Sequence, residues 1–359
     1  MNNIHQIRRI LVIRRDNIGD LVCTTPFIHS VRQHFPDAEL STLVNSYNRA
    51  TLDKNPDIDY LFSYEKLKHS SGAVEKLSAV SNRIALIAKM RRCRFDLAVL
   101  AKPGFDPHGL RMARLAGAER VLGFAPKHGE HCRGLTDSLV DDCSGLHEVE
   151  AIALIGKKLG ITTAPGRLRV FPDVRLSSLA RQKLESEGKN TRWIALHISA
   201  REATRRWPLE KFISLIERLS SIPNLGFAVF WSPGSVDSPT HPGDDEKAAA
   251  LLRRTAGKRV VAMPTSKLED LIAGVAACDF FLGADGGAMH VAAGLERPIV
   301  ALFENSTSKR THWYPWQVRH ILLQPQTFAV EDIEVEAVAQ AVDEIVGDSG
   351  RTKGQFPVA

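Results

Sequence analysis

Two glycines and a histidine follow an acidic residue at the end of an apolar run in the C-terminal half of the chain. Asp285, Gly286 and Gly287 come after the run Ala276–Leu282, and His290 lies about one helical turn further on. Glycine lets a backbone approach a phosphate closely, and a helix N-terminus offers free N–H groups and partial positive charge. The pattern predicts an anion-binding turn, although a plain N-capped turn with a surface histidine would use the same residues.

A second strand, glycine loop and helix stand at the start of the chain. The segment Ile7–Arg14 has the length and the β-branched content of a buried strand. The loop after it ends at Asp20, and an apolar helical stretch starts at Leu21. Pro26 lies in this stretch, so we expect the helix to begin or to be distorted there. A carboxylate at a helix start stays ionised, so Asp20 is either a simple N-cap or a candidate base.

Both motifs resemble those of a known family, the heptosyltransferases of glycosyltransferase family nine. These enzymes transfer heptose from ADP-heptose in building lipopolysaccharide. The similar segments are Asp-Gly-Gly-x-x-His-x-Ala-Ala-x-x-x-x-Pro-x-Val-x-Leu-Phe over 285–303 and Arg-x-Asp-x-Ile-Gly-Asp-x-x-x-x-x-Pro over 14–26. The resemblance implies that Asp20 is the catalytic base and that Asp285, Gly286, Gly287 and His290 bind the donor. Gly286 stands where the family usually has Thr or Ser. The hydroxyl that the family offers to a donor phosphate is therefore missing, and only a backbone group can replace it.

The donor site is extended by a basic loop that follows the predicted strand Arg192–Ile198. The loop Ser199–Pro208 resembles a family segment that holds donor phosphates with a hydroxyl and a cation, which implies that Ser199 and Arg205 bind the donor. An arginine can bind two phosphate oxygens at once, whereas a solvated basic loop is the ordinary alternative. The family also places a carboxylate for the donor ribose or base after the next strand. The candidates are Asp244, Asp245 and Glu246, of which we select Asp245.

Acceptor-binding residues are expected in the N-terminal half. Gly19 lies in the first loop, and Lys102 follows a strand in the region Phe95–Gly123 that resembles the family. Lys102 stands where the family more often has an uncharged or acidic residue, which suggests a changed acceptor contact.

Composition restricts the class of protein. The chain of 359 residues has 44% hydrophobic and 25% charged residues, and its net charge of +6 suggests an anionic partner. Few aromatic residues interleave the basic clusters, so we expect no nucleic acid as partner. No apolar run reaches the roughly 20 residues of a membrane span, and no signal peptide is visible at the start. We therefore expect a cytoplasmic protein, with peripheral contact to the inner membrane surface where a lipid-linked acceptor would lie.

Cysteines and histidines give weak indications of other chemistry. Five scattered cysteines fit reduced thiols better than a disulfide framework. A zinc ion could in principle be surrounded by His128, His131, Cys132, Cys143 and His147. This spacing contains no CxxC pair, so we predict no metal and no cofactor.

Alternating strands and helices predict an α/β chain. We expect two Rossmann-like domains facing across a cleft, the GT-B type, each with a mostly parallel sheet and ligands at the carboxyl ends of its strands. The expected divisions are an acceptor-binding domain carrying the base over 1–165, a linker over 166–190, a donor-binding domain over 191–330, a helix over 331–347 that packs back on the N-terminal domain, and a disordered tail over 348–359.

The predicted function is inverting transfer of a sugar, heptose from ADP-heptose by the resemblance, onto a lipopolysaccharide core or related anionic saccharide. Two alternatives stay open: a transferase that uses another nucleotide sugar, and a nucleotide-binding protein without turnover. An NAD dehydrogenase is disfavoured because Gly19 is not part of a GxGxxG motif. A glycosidase with paired carboxylates has no supporting spacing.

Overall fold

The computed structural model describes residues 7–64, 73–126, 132–140, 142–235, 237 and 243–347. The chain divides into two compact units, Met1–Phe171 and Pro172–Ala359. The predicted tail 348–359 and two of the possible zinc ligands, His128 and His131, lie outside the described residues.

The first unit is built on a parallel sheet of six strands in the order β3-β2-β1-β4-β5-β6. Its strands are β1 (Arg9–Ile13), β2 (Glu39–Asn45), β3 (Tyr60–Tyr64), β4 (Leu97–Leu100), β5 (Arg120–Phe124) and β6 (Asp137–Leu139). Its α-helices are α1 (Ile18–His34), α2 (Ala73–Arg92), α3 (Pro107–Leu115) and α4 (Glu148–Lys158).

Strand β1 is buried on both faces of this sheet. Ile10 and Val12 belong to one apolar core, whereas Leu11 and Ile13 belong to the other. Side chains alternate along a strand, so an uninterrupted apolar run can fill two cores at once. β1 pairs with β2 on one side and β4 on the other. The strand order reverses there, and the loops after β1 and β4 meet at the carboxyl edge where ligands bind in open α/β sheets.

The second unit repeats this plan with the strand order β12-β11-β10-β7-β8-β9. Its strands, all parallel, are β7 (Arg192–His197), β8 (Leu225–Trp231), β9 (Val260–Pro264), β10 (Phe280–Ala284), β11 (Ile299–Leu302) and β12 (His320–Leu323). Its α-helices are α5 (Val174–Glu187), α6 (Leu209–Leu219), α7 (Asp245–Arg254), α8 (Leu268–Ala277), α9 (Gly287–Gly294), α10 (Thr307–Trp313) and α11 (Val335–Gly347). The predicted α/β class with two Rossmann-like halves is confirmed.

The region between the units is more regular than the sequence suggested. Most of the expected linker 166–190 forms helix α5, which starts where the Asp173 carboxylate accepts a hydrogen bond from the backbone N–H of Leu176 and which packs on α8. The division after Phe171 falls inside the expected linker. Helix α11 buries its apolar stripe in the core of the second unit, and its packing on the first unit stays a prediction.

Helix α1 does not begin at Pro26, which was the first of the two outcomes that we expected. It runs from Ile18 to His34, with Pro26 in its interior. Proline cannot donate to the carbonyl four residues earlier, which would leave the oxygen of Val22 without its helical partner. The hydroxyl of Thr25 donates to that oxygen at 2.6 Å. This local replacement lets one continuous helix carry Asp20 at its first turn.

Candidate active site

A buried arginine organises the carboxyl edge of the first sheet. Arg14 directly follows β1, and its side chain is 1% exposed. Nη1 donates to the carbonyl oxygen of Ala101 at 2.6 Å, and Nη2 donates to Asp20 Oδ1 and to Glu148 Oε1, each at 2.7 Å. One guanidinium thus fixes the end of β4 and two carboxylates from different helices.

Asp20, the predicted base, is the third residue of α1. Its Oδ2 accepts the backbone N–H of Asn17 at 3.0 Å, which forms a capping box at the start of the helix. Its side chain is 16% exposed, so a part of the carboxylate faces solvent. The carboxylate is therefore fixed at the first turn of the helix and open to solvent in part, and its role as the base stays a prediction. Gly19, expected to contact the acceptor, is buried in the same helical turn.

A third carboxylate, that of Asp16, joins this cluster. Its Oδ2 lies 3.3 Å from Arg14 Nε, and its Oδ1 lies 3.3 Å from Nζ of Lys102. The structure therefore brings Lys102, predicted from the region after β4, to the loop that precedes Asp20. Lys102 is a partly exposed cation there, and it can offer charge to an anionic ligand.

Sequence reasoning missed Glu148, which starts helix α4. Burial raises the pKa of this carboxyl, the charges of Asp20 and Asp16 raise it further, and Arg14 opposes them. Arg14 and Glu148 are 134 positions apart. The sequence feature that could have indicated Glu148 is an acidic residue in the first turn of a predicted helix. The residue before it, His147, is the N-cap of that helix, and its Nδ1 accepts the N–H of Val149.

The glycine turn of the second unit has the predicted form. Asp285 follows β10, Gly286 caps α9, and Gly287 is the first residue of that helix. His290 is buried, with its ring edge-on to Trp313 at 5.7 Å between centroids, so it is not the surface histidine of the alternative reading. The N–H groups of Met289 and His290 bond back to the oxygen of Gly286. The earlier N–H groups of the first turn are those a ligand would meet.

Gly286 has room for a side chain. Its φ of 164° is extended backbone. The nearest described atom to an added Cβ, the carbonyl oxygen of Ala284, lies 4.0 Å away. Neither backbone strain nor crowding therefore requires glycine at this position.

Arg205 lies beside Asp285, as the sequence predicted for a shared donor site. Its Nη1 is 3.2 Å from Asp285 Oδ2, and its Nε is 3.3 Å from Oε2 of Glu304. Burial raises the pKa of Asp285, and the positive charges of Arg205 and Lys309 oppose this rise. The guanidinium thus joins the loop after β7 to the strand ends of β10 and β11.

Glu304 and Lys309 were not predicted from the sequence. Glu304 follows β11 after one buried phenylalanine and is 2% exposed; its carboxylate also binds Nζ of Lys309 and the hydroxyl of Thr204. The available signal was that Glu304 is the first polar residue after a buried parallel strand, which places it at the edge where ligands bind.

Ser199 and Asp245 lie at the same end of the second sheet and organise the loop after β8. Ser199 Oγ accepts the N–H of Ser232 at 3.1 Å. Asp245 Oδ1 accepts the indole N–H of Trp231 at 2.7 Å, and Oδ2 accepts the N–H of Gly234 at 2.9 Å. Both carboxylate oxygens of Asp245 therefore hold the loop, and a role toward a ribose remains a prediction.

A half-buried lysine holds the loop that carries Ser199 and Arg205. Lys247 Nζ donates to the carbonyl oxygens of Ile198 and Trp207, at 2.9 and 3.1 Å. These residues flank the loop, so one ammonium group joins its two ends. Burial lowers the pKa of Lys247 to about 8.

Across the described ranges, no group of three or more His, Cys, Asp or Glu side chains is arranged to hold a metal ion. Within those ranges, no helix is long and apolar enough to cross a membrane.

Comparison with known proteins places this chain in a family. The sequence model of glycosyltransferase family 9 (heptosyltransferase) matches residues 83–339. Lipopolysaccharide heptosyltransferase 3 of Escherichia coli K12 is 23% identical over 315 residues, which cover 83% of this chain and 82% of that protein. Lipopolysaccharide heptosyltransferase 2 of Salmonella typhimurium LT2 is 24% identical over 313 residues, 83% of each chain.

Solved structures show the same fold. A family 9 glycosyltransferase from Veillonella parvula aligns with a TM-score of 0.80 at 19% identity, covering 95% of this chain and 98% of that one. The E. coli heptosyltransferase WaaC with ADP aligns with a TM-score of 0.74 at 16% identity, covering 94% and 99%.

The fold and these similarities define a glycosyltransferase of the GT-B type. The family model matches more than half of the chain, so the protein belongs to glycosyltransferase family 9 (heptosyltransferase). The resemblance inferred from the two sequence motifs is confirmed.

Proposed function

We propose that this enzyme is an inverting heptosyltransferase that moves heptose from ADP-heptose onto a lipopolysaccharide core or a related anionic saccharide. The observation that carries the proposal is the meeting of Arg205 and Asp285 at the N-terminus of α9. A cation and a helix N-terminus at one point form a site for a diphosphate. The names of the relatives and the ADP in a structure of the same fold support adenine nucleotide and heptose.

On the donor side, the diphosphate is the leaving group. The free N–H groups of Gly287 and the following residue, together with Arg205, would stabilise the charge that develops as the glycosidic bond breaks. Ser199 would add a hydroxyl from the neighbouring strand end. Lys247 and Glu304 hold the loop and the guanidinium in place before the donor arrives.

On the acceptor side, Asp20 would take the proton of the attacking hydroxyl. Its carboxylate is fixed by Arg14 and by the N–H of Asn17 and is partly open to solvent, as a general base must be. The acceptor oxygen then bonds to the anomeric carbon while the diphosphate leaves, and this single displacement inverts the anomeric centre. Lys102, beside Asp16, would bind an anionic group of the acceptor.

Two observations keep a different nucleotide sugar as the second candidate. Gly286 offers no hydroxyl to the donor, and Lys102 brings a charge to the acceptor side. A nucleotide-binding protein without turnover is the third, but the positioned carboxylate of Asp20 favours catalysis.

A transfer assay separates these candidates. The purified chain is incubated with a truncated lipopolysaccharide acceptor and, in parallel, ADP-heptose, a UDP-sugar or a GDP-sugar, and product is followed by mass spectrometry. We expect transfer from ADP-heptose with inversion, read from the anomeric signals in NMR spectra. Transfer from another donor would identify the second candidate, and ADP binding by calorimetry with no product from any donor would identify the third.

Affinity for ADP tests the donor half separately. Arg205→Ala should weaken ADP binding by about 1.5 to 3 kcal/mol, the value of a charge-assisted hydrogen bond. The matched control is Arg218→Ala, which removes an exposed arginine paired with Glu336. Equal ADP affinity in the Arg205 variant and the wild type would remove Arg205 from the donor site.

The cellular setting is part of the proposal. A cytoplasmic enzyme that meets a lipid-linked acceptor at the inner membrane surface would use its net charge of +6 for peripheral contact. Nucleic acid is not proposed as a partner.

A further inference from the structure

Two cations, not one, share a buried carboxylate at the donor edge. Glu304 pairs with Arg205 Nε at 3.3 Å and also with Nζ of Lys309. Its other oxygen accepts the hydroxyl of Thr204. A carboxylate in this position has its charge compensated from three sides, so both cations are held at defined places.

The backbone around Lys309 is also fixed. The Lys309 N–H donates to Oγ of Ser306, which caps helix α10. The amide of Gln324 donates to the carbonyl oxygen of Glu304 at 2.7 Å. Lys309 therefore extends from a held helix start rather than from a free loop.

Lys309 is partly exposed, whereas its carboxylate partner is buried. Its side chain is 31% exposed, whereas that of Glu304 is 2% exposed. Burial and the positive charge of Arg205 lower the pKa of Lys309, and Asp285 and Glu202 oppose this shift. The lysine thus shares an electrostatic environment with Arg205 and Asp285, and an ammonium group has three donors, of which Glu304 takes one side.

We propose that Lys309 is a second diphosphate-binding cation of the donor site, and that Glu304 is the positioning residue that holds Lys309 and Arg205 toward one anion. This inference rests on the proposed function, since it assumes that a nucleoside diphosphate binds at the N-terminus of α9. The guanidinium would bind phosphate oxygens through a planar fork, and the ammonium group would contribute a compact charge beside it.

The charge balance supports a second cation. Asp285 and Glu304 offset Arg205, so one arginine would leave the edge with net negative charge toward an incoming diphosphate. Lys309 restores two positive charges against two negative ones, and the helix N-terminus adds about half a positive charge. Glu202 also faces Lys309, so an anion is favoured here by the positions of the two cations and the helix N-terminus rather than by an excess of positive charge.

ADP binding by four proteins tests the inference: wild type, Lys309→Met, Lys309→Arg and Lys258→Met. Lys258 is exposed and lies just before β9, at the opposite edge of the sheet, so its variant makes the same charge change outside the site. Calorimetry is performed at about 0.05 M and about 1 M salt, and thermal unfolding checks that each variant is folded.

We expect Lys309→Met to weaken ADP binding by about tenfold or more at low salt, the size of one charge-assisted contact. The loss should shrink at 1 M salt, because screening acts over about 3 Å there. Lys309→Arg should stay within about threefold of wild type, and Lys258→Met within about twofold.

Wild-type affinity in Lys309→Met at low salt, or a loss that salt does not change, would overturn the role of Lys309. The second outcome would show that the lysine acts through structure rather than through charge. If the wild type binds neither ADP nor another nucleoside diphosphate, all four proteins behave alike, and the proposed function itself is wrong.

Discussion

Nη2 of Arg14 lies 2.7 Å from Oδ1 of Asp20, and the same nitrogen lies 2.7 Å from Glu148. The arginine comes from a strand end, and the two carboxylates come from the first turns of two helices. Because one donor group serves both acids, the position of the candidate base depends on a residue more than a hundred positions away. This relationship defines what substitutions at Asp20 and Glu148 should do.

Asp20→Asn should slow transfer by about 10² to 10⁴, since an amide keeps the shape and the contact with Arg14 but cannot take the proton. Affinity for ADP should stay near the wild-type value, because the donor residues lie in the second unit. Steady-state rates and calorimetry measure the two effects. Asp53→Asn, which changes an exposed carboxylate paired with Arg49, is the control. Turnover within threefold of wild type would reduce Asp20 to a helix cap.

Glu148→Gln should change how stability depends on pH. The pKa of Glu148 is raised above its ordinary 4.5 by burial, with Asp20 and Asp16 adding to the rise. A raised pKa means that the folded protein binds this proton more tightly than the unfolded chain. The corresponding stability is present below pH 4.5 and is lost as pH rises through the raised value.

The glutamine variant lacks this titration, so its free energy of unfolding should fall less than that of wild type as pH rises above 4.5. Denaturant unfolding from about pH 4 to pH 8 measures the difference. Glu119→Gln, at an exposed position before β5, should give a curve parallel to wild type. A parallel curve for Glu148→Gln would show that Glu148 is as acidic as an exposed glutamate.

Gly286→Thr should be tolerated and should tighten ADP binding. The backbone is extended there, and an added Cβ would have 4.0 Å to the nearest described atom. A new hydroxyl at the start of α9 could donate to a phosphate oxygen, a contribution of about 0.5 to 1.5 kcal/mol. Gly286→Ala supplies the Cβ without the hydroxyl and is the control. If both variants bind ADP equally, the hydroxyl makes no contact with the nucleotide.

Transfer should survive EDTA. Arg205 and Lys309 already stand beside Asp285 and Glu304, the carboxylates of this edge, and a divalent cation placed there would be repelled by both. Hard cations such as Mg²⁺ need free oxygen ligands. Both carboxylate oxygens of Glu304 and Oδ2 of Asp285 are engaged by neighbouring side chains. Initial rates with and without chelator give the answer. Loss of more than nine-tenths of the rate, restored by Mg²⁺ or Mn²⁺, would show that a metal handles the diphosphate charge.

The sequence predicts those parts of the site that lie within a single strand, loop and helix. Asp20 and the turn Asp285–Gly287 each lie between a predicted buried strand and the helix that follows it, so their place at the carboxyl edge follows from the local pattern. Arg205 was predicted from the basic loop that follows β7. It contacts Asp285, 80 positions away, because β7 and β10 are neighbouring parallel strands.

Glu148, Glu304 and Lys309 could not be found in this way. Glu148 and Glu304 become part of the site through partners that are distant in the chain, such as Arg205, which lies 99 positions from Glu304. Lys309 joins the site through Glu304. Hydrophobic periodicity marks which strands are buried but not which strand ends are neighbours. Pro26 shows a different limit of prediction from sequence. Proline in a helix leaves a carbonyl oxygen without its backbone partner, but here the hydroxyl of Thr25 donates to that oxygen.

The pairing of Glu304 with Arg205 and Lys309 also bears on the rate of turnover. Cations that had no partner would be left buried and uncompensated each time the nucleotide departed, which is unfavourable and would slow its release. Here each of the two cations has the carboxylate of Glu304 as a neighbour. Release of spent nucleotide is often the slow step of an enzyme. Glu304 therefore lowers the affinity for the nucleotide product and favours its release, which allows the next donor to bind.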